Sequence, residues 1–154
     1  MNGYRHLKRL RWVWSEQPVY FITVCMATRR PLLTTPAIYG ILVDELTNLK
    51  VRHGWAVGPY VVMPDHVHMF LAPRLYASKP LSAAMGKWKE WTAKGILPRV
   101  ELTAPLWQAE FFDHVLRSRE SRAEKWNYMR ENPVRAGLVT KAEDWPYSGW
   151  IDFR

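Results

Sequence analysis

The sequence predicts an α+β fold, a ferredoxin-like sandwich with an antiparallel sheet and helices on one face. Three observations predict it. Apolar patterns run in the order strand, helix, strand, strand, helix, strand, helix. The second and third strand patterns are separated only by the turn residues "MPDH", which makes 56–72 a β-hairpin. The 154 residues show no repeat, low-complexity tract or Gly/Ser linker, so residues 1–154 are expected to form one domain.

Each element has its own signature. Residues 19–26, "VYFITVCM", are β-branched and aromatic, as in a buried strand. In the helix that follows, Thr35 suits the N-cap, Pro36 the first turn and Gly54 the stop. Ile38, Ile41, Leu42, Leu46 and Leu49 form its apolar stripe at helical spacing. Residues 56–62 and 66–72 are the hairpin strands. "PLSAAMGKWKEWTAKGILP" reads as a helix ending near Gly95. "APLWQAEFFDHVL" fits a short strand plus a turn. "SRESRAEKWNYMRENPVRAGLV" reads as a third helix capped by Ser118 or Ser121. Pro133 should end or bend it, because proline removes a backbone donor and clashes with the preceding turn. Residues 140–154 are expected to be a tail packed down by Trp145, Tyr147 and Trp150.

Composition narrows the function. The net charge is +8 and the pI about 9.8, which favours polyanionic partners, nucleic acid first. Nine Trp, seven Tyr and five Phe exceed what stacking needs, so most belong to the core. No apolar run approaches the ~20 residues that span a bilayer, and no membrane role is expected. The basic first residues lack a long apolar segment and a small-residue cleavage site, so no secretory signal is expected. Cys25 is the single cysteine. It allows no disulfide within the chain, reads as a buried small hydrophobe, and fits a cytoplasmic location.

The stretch "MPDHVHMF" carries the chemistry. Strand alternation puts His66 and His68 on one face and Val67, Met69 and Leu71 on the other. Two neutral imidazoles sharing a face can bind one metal ion. His-x-His alone equally fits two polar positions on a half-exposed strand. A third ligand has to come from an element covering that face. In "YMREN", Tyr128 and Asn132 are four apart and lie on one side of a helix. Asn132 offers an amide oxygen, and Tyr128 would hold its phenol beside the ion. Such a set suits a divalent ion gripping a phosphate oxygen while the tyrosine oxygen attacks phosphorus. Pro133 biases Asn132 away from helical angles. Read alone, Tyr128 also fits an aromatic packed beside Trp126, and Asn132 a helix-end residue.

Taken together and in this order, these pieces resemble the REP-associated tyrosine transposases, single-domain members of the HUH single-tyrosine transposase superfamily. "YVVMPDHVHMFLAP" is similar to the family's metal-binding strand. "WQAEFFDHVLRSRES" is similar to the segment before the last helix, and "KWNYMRENPVRAGLV" to the nucleophile helix. "EDWPYSGW" and "YFITVCMATRRPLL" also fit, so the resemblance spans roughly residues 4–150. It implies a nucleophile helix near the active-site face and a Mg²⁺- or Mn²⁺-dependent activity on single-stranded DNA near REP-like hairpins. His66 and His68 would bind the metal with Asn132 as third ligand. Tyr128 would attack the scissile phosphate, keep a 5′-phosphotyrosine and release a free 3′-OH, and the reverse step would rejoin DNA. One candidate nucleophile per subunit implies one covalent link at a time. The superfamily includes dimers, so a homodimer is compatible with the sequence.

In that frame the basic residues Arg5, Lys8, Arg9, Arg11, Arg29, Arg30, Arg117, Arg119 and Arg122 are candidates for DNA phosphate contacts. His114 is expected to be structural, and His6 and His53 to lie at the surface. Two rivals stand beside this reading. One is a catalytically silent DNA- or RNA-binding domain that keeps the fold. The other is a zinc hydrolase, which would need a further ligand and a carboxylate base such as Asp65 or Glu131.

Overall fold

The computed structural model describes residues 18–74 and 79–154. Arg5, His6, Lys8, Arg9 and Arg11 lie outside them. The described chain runs β1 (Val19–Cys25), α1 (Pro36–His53), β2 (Trp55–Val62), β3 (His66–Pro73), α2 (Leu81–Ile96), β4 (Phe112–Leu116), α3 (Arg119–Arg130), α4 (Asn132–Arg135) and β5 (Ser148–Trp150). The strands form one sheet in the order β4-β1-β3-β2-β5, every pair antiparallel. The first four strands with α1 and α2 give the βαββαβ ferredoxin-like arrangement. β5 extends it beyond β2.

Local chemistry sets the helix ends. The Thr35 hydroxyl accepts from the Ile38 amide, Pro36 opens α1, and Gly54 closes it at φ 76°, a left-handed conformation that glycine adopts without strain. Ser118 and Ser121 cap α3 reciprocally. The Ser118 hydroxyl accepts from the Ser121 amide, and the Ser121 hydroxyl accepts from the Ser118 amide. Pro133 acts as expected: α3 ends at Arg130, and α4 restarts the helix after Glu131.

The sheet separates two apolar layers. On one face Ile22, Val24, Val57, Val67, Met69 and Leu71 pack against Leu42, Leu46 and Leu49 of α1 and Met85 and Trp88 of α2. On the other face Phe21, Val61, Phe70 and Leu116 pack under Met129 of α3, with Trp126 and Trp145 at the edge. The first layer carries most of the stability, because it buries far more apolar surface. Leu46 is fully buried there. Leu46→Ala is expected to cost about 2–5 kcal/mol, read as a lower urea midpoint with unchanged slope; a change below 0.5 kcal/mol, the range of ordinary surface substitutions, would refute this account of the core.

Three expectations need correction. Residues 140–154 are more than a tail, since Ser148–Trp150 pairs with Pro59–Val61 as a fifth strand. Trp145 and Tyr147 pack down, but Trp150 remains 49% exposed, because it borders an open cavity. The end is pinned by Asp152, whose carboxylate accepts from the Val57 amide and pairs with Lys50. Phe153 lies so close over Gly58 that a Cβ there would collide with its ring. His53 is half-buried rather than exposed. Burial and the nearby Lys79 and Arg52 charges lower its pKa.

Candidate active site

Register builds the site. His66 lies opposite Cys25 and His68 opposite Thr23 across the β1–β3 ladder, and His68 lies opposite Val61 on β2. Opposed residues share a face, so both histidines stand on the face that α3 crosses, as alternation requires. Their rings are 4.7 Å apart, edge to face.

Each imidazole is held through its Nδ1. The Asp65 carboxylate lies 2.7 Å from His66 Nδ1, and the Thr23 hydroxyl lies 2.9 Å from His68 Nδ1. This is how protein metal sites fix ligand orientation: one ring nitrogen is engaged, and the other is presented. Asp65 in turn pairs with Arg29 at 3.0 Å. Arg29 adopts φ 55°, an uncommon conformation for a residue with a Cβ, and its ion pair helps offset that cost. Burial alone would raise the Asp65 carboxyl, but hydrogen bonding and charge from His66, with the Arg29 guanidinium, hold it below the ordinary range.

His68 is 7% exposed and stacks on Phe21 at 5.2 Å. Burial, then the charges of His66, Arg135 and Lys125, lower its pKa from 6.5 to about 3. It is therefore neutral at physiological pH, the form that ligates metals. The unfolded chain protonates His68 near pH 6.5, and the folded chain only near pH 3. Between those values the unfolded state holds more protons, so stability falls as pH drops through that window and the contribution is intact above it. Urea titrations from pH 7 to pH 4 are expected to show this loss, and His68→Gln should flatten it. An equal slope in His68→Gln would assign the loss to other groups.

Tyr128 stands on α3, which crosses the same face. It is 52% exposed, and cations flank its ring. Lys125 Nζ lies 5.3 Å from the ring centre and Arg135 Cζ 4.1 Å from it. Lys125 also sits 5.0 Å over Phe21, the ring stacked on His68. A continuous path therefore runs from His66 and His68 through Phe21 and Lys125 to Tyr128. The Arg135 guanidinium donates to the Tyr128 carbonyl at 2.6 Å, which ties the helix break to the tyrosine.

The remaining expected residues divide. Asn132 opens α4, past the break that Pro133 imposes, and its side chain makes no hydrogen bond among the described residues. Arg29 stands behind His66 by way of Asp65. Arg30 and Arg117 are exposed, and Arg119 and Arg122 face the far flank of α3, where they line a cavity. His114, expected to be structural, is exposed on β4 opposite Phe21. Among the described residues no three His, Cys, Asp or Glu side chains are grouped to hold a metal ion. Sequence reasoning missed Thr23, Phe21, Lys125 and Arg135. Lys125 alone had a local signal, three residues before Tyr128 on one helix flank.

No family model matches the chain. The chain is 27% identical over 143 residues to the REP-associated tyrosine transposase of Escherichia coli K12, a match that covers 92% of this chain and 82% of that protein. The similarity to that transposase runs over nearly the whole chain. A solved structure of the REP-associated tyrosine transposase bound to a REP hairpin superposes with TM-score 0.71 at 23% identity, covering 87% of this chain and 76% of that one. A Deinococcus radiodurans structure superposes with TM-score 0.55 at 20% identity, over 73% of this chain and 88% of that one. Both share this α+β fold with its open antiparallel sheet.

Proposed function

We propose that the chain is a metal-dependent endonuclease and strand transferase. Its substrate is single-stranded DNA beside hairpins, and Tyr128 is its covalent nucleophile. The observation that carries this reading is the path from two Nδ1-anchored histidines through Phe21 and Lys125 to an exposed tyrosine. Kinship to a protein named as a REP-associated tyrosine transposase supports it, and so does a structural neighbour solved with a REP hairpin. The net charge of +8 suits a nucleic-acid partner.

Two Nδ1-engaged imidazoles on one face suit a divalent ion. His66 and His68 would hold Mg²⁺ or Mn²⁺ through Nε2, with Asn132 as the third protein ligand. Bound there, the ion supplies Lewis-acid polarisation of the phosphate. Tyr128 Oη forms the bond to phosphorus as the phosphorus–O3′ bond breaks. The phenol loses its proton, and the departing 3′ oxygen gains one. The downstream strand stays on Tyr128 through its 5′-phosphate, and a 3′-OH attacking that link reverses the step. No ATP is needed, because one phosphoester replaces another. Lys125 and Arg135 bring positive charge to the ring that meets the phosphate, where charge grows during transfer.

The test uses single-stranded oligonucleotides from the DNA flanking the gene, each with its hairpin and a label 3′ of any cut. Mg²⁺ or Mn²⁺ is supplied, with EDTA as control, and products are separated on a denaturing gel. A metal-dependent label on the protein is expected. Hairpin binding without any adduct would instead make the chain a silent binding domain.

A further inference from the structure

A cavity of about 720 Å³ opens on the other flank of α3 from Tyr128. Its floor is Phe70 and Pro59 of the sheet, and its walls are Trp126 of α3 with Trp150 and Phe153 of the C-terminal residues. Arg119, Arg122 and Arg154 stand at its margin. Arg130 also borders it and pairs with Glu143, the one carboxylate in the lining. Trp150 leaves 49% of its surface uncovered, with the Arg154 guanidinium 4.5 Å over its ring.

This combination has a specific chemistry. Exposed aromatic faces among cations stack on bases, and arginines beside them take the phosphates. The volume lies in the range of small-ligand sites. A single nucleotide is within that volume, and a base inside a duplex, stacked on both sides, has no free face for Trp150.

Resting on the function proposed above, we infer that this cavity is a second nucleic-acid site. It takes one unpaired nucleotide of the substrate strand, with its base stacked on Trp150 and its phosphate on Arg119. Cavity and nucleophile occupy opposite flanks of one helix: Lys125 and Tyr128 on one, Arg119, Arg122 and Trp126 on the other. A base held in the cavity therefore stands a fixed number of nucleotides from the cut, and α3 acts as the spacer.

The experiment places a single abasic site at each unpaired position of the flanking hairpin oligonucleotide in turn. Affinity is read by fluorescence anisotropy for the wild type, Trp150→Ala and Trp150→Phe. One position is expected to lower wild-type affinity about 10-fold. At that position Trp150→Ala should show no additional loss, because both changes remove the same stack, while Trp150→Phe should keep most of the dependence. Arg119→Gln should weaken binding at every position and reduce the salt slope by about one. Equal abasic penalties in the wild type and Trp150→Ala would overturn the cavity assignment. So would binding that follows backbone charge and ignores the bases. Wild-type adduct formed on the same oligonucleotides separates the two proposals: adduct without coupling removes only the cavity, whereas neither binding nor adduct removes both.

Discussion

Tyr128→Phe is expected to abolish the covalent protein–DNA link and lower strand cleavage by several orders of magnitude, as loss of a covalent nucleophile does. The substitution removes one oxygen and leaves the ring in place. Lys125 and Arg135 keep their contacts with the ring face, and the Arg135 hydrogen bond goes to the Tyr128 carbonyl, which the mutation does not touch. The side chain is half exposed, so stability should change by less than about 0.5 kcal/mol. Folding, measured by thermal melting, and hairpin affinity, measured by anisotropy, are expected to stay close to wild type. That separation makes the result informative, because a general loss of structure would lower all three readouts together. An adduct that persists in Tyr128→Phe would mean that another side chain attacks the phosphate.

The parts of this molecule that depend on local rules are legible in the sequence alone. Thr35, Pro36 and Gly54 bound α1 because capping, proline placement and left-handed stops act within a few residues. The facing of His66 and His68 followed from the two-residue period of a strand. The helix break after Arg130 followed from Pro133. What stayed hidden depends on contacts between distant parts of the chain. Thr23 and Phe21 meet His68 only through the β1–β3 register, which no local pattern sets. The strand at 148–150 carries a Gly between Ser and Trp, a weak strand signal on its own, and forms because β2 offers an open edge. Trp150 reads as a packing residue in the sequence, whereas its place on an outer strand leaves it facing the cavity. His114 is exposed on β4, opposite Phe21, a position set by pairing with β1 at the sheet edge.

The second large effect concerns the histidine pair, and it should grade with distance from the metal position. His68→Ala removes one of the two proposed histidine ligands and is expected to lower cleavage about a thousand-fold, the several kcal/mol that Lewis-acid stabilisation supplies. Asp65→Asn leaves both imidazoles in place and weakens only the group that orients His66. Its expected cost is about 10–100-fold in metal affinity or activity. The two variants should also differ in rescue. Excess Mn²⁺ restores occupancy of a weakened site, so Asp65→Asn should recover much of its activity, whereas His68→Ala should not. Burial complicates His68→Ala, since it opens a void beside Phe21 and leaves the Thr23 hydroxyl without its partner. Asp65→Asn supplies the control, because that carboxylate is one-quarter exposed and its loss creates no void. Cleavage rates measured across a Mn²⁺ titration for both variants decide the matter. Wild-type cleavage by His68→Ala would sink the metal assignment. Equal losses in both variants with no Mn²⁺ rescue of Asp65→Asn would point to a structural role for the pair, in which Asp65 and Thr23 hold the imidazoles as packing groups instead of presenting them to an ion.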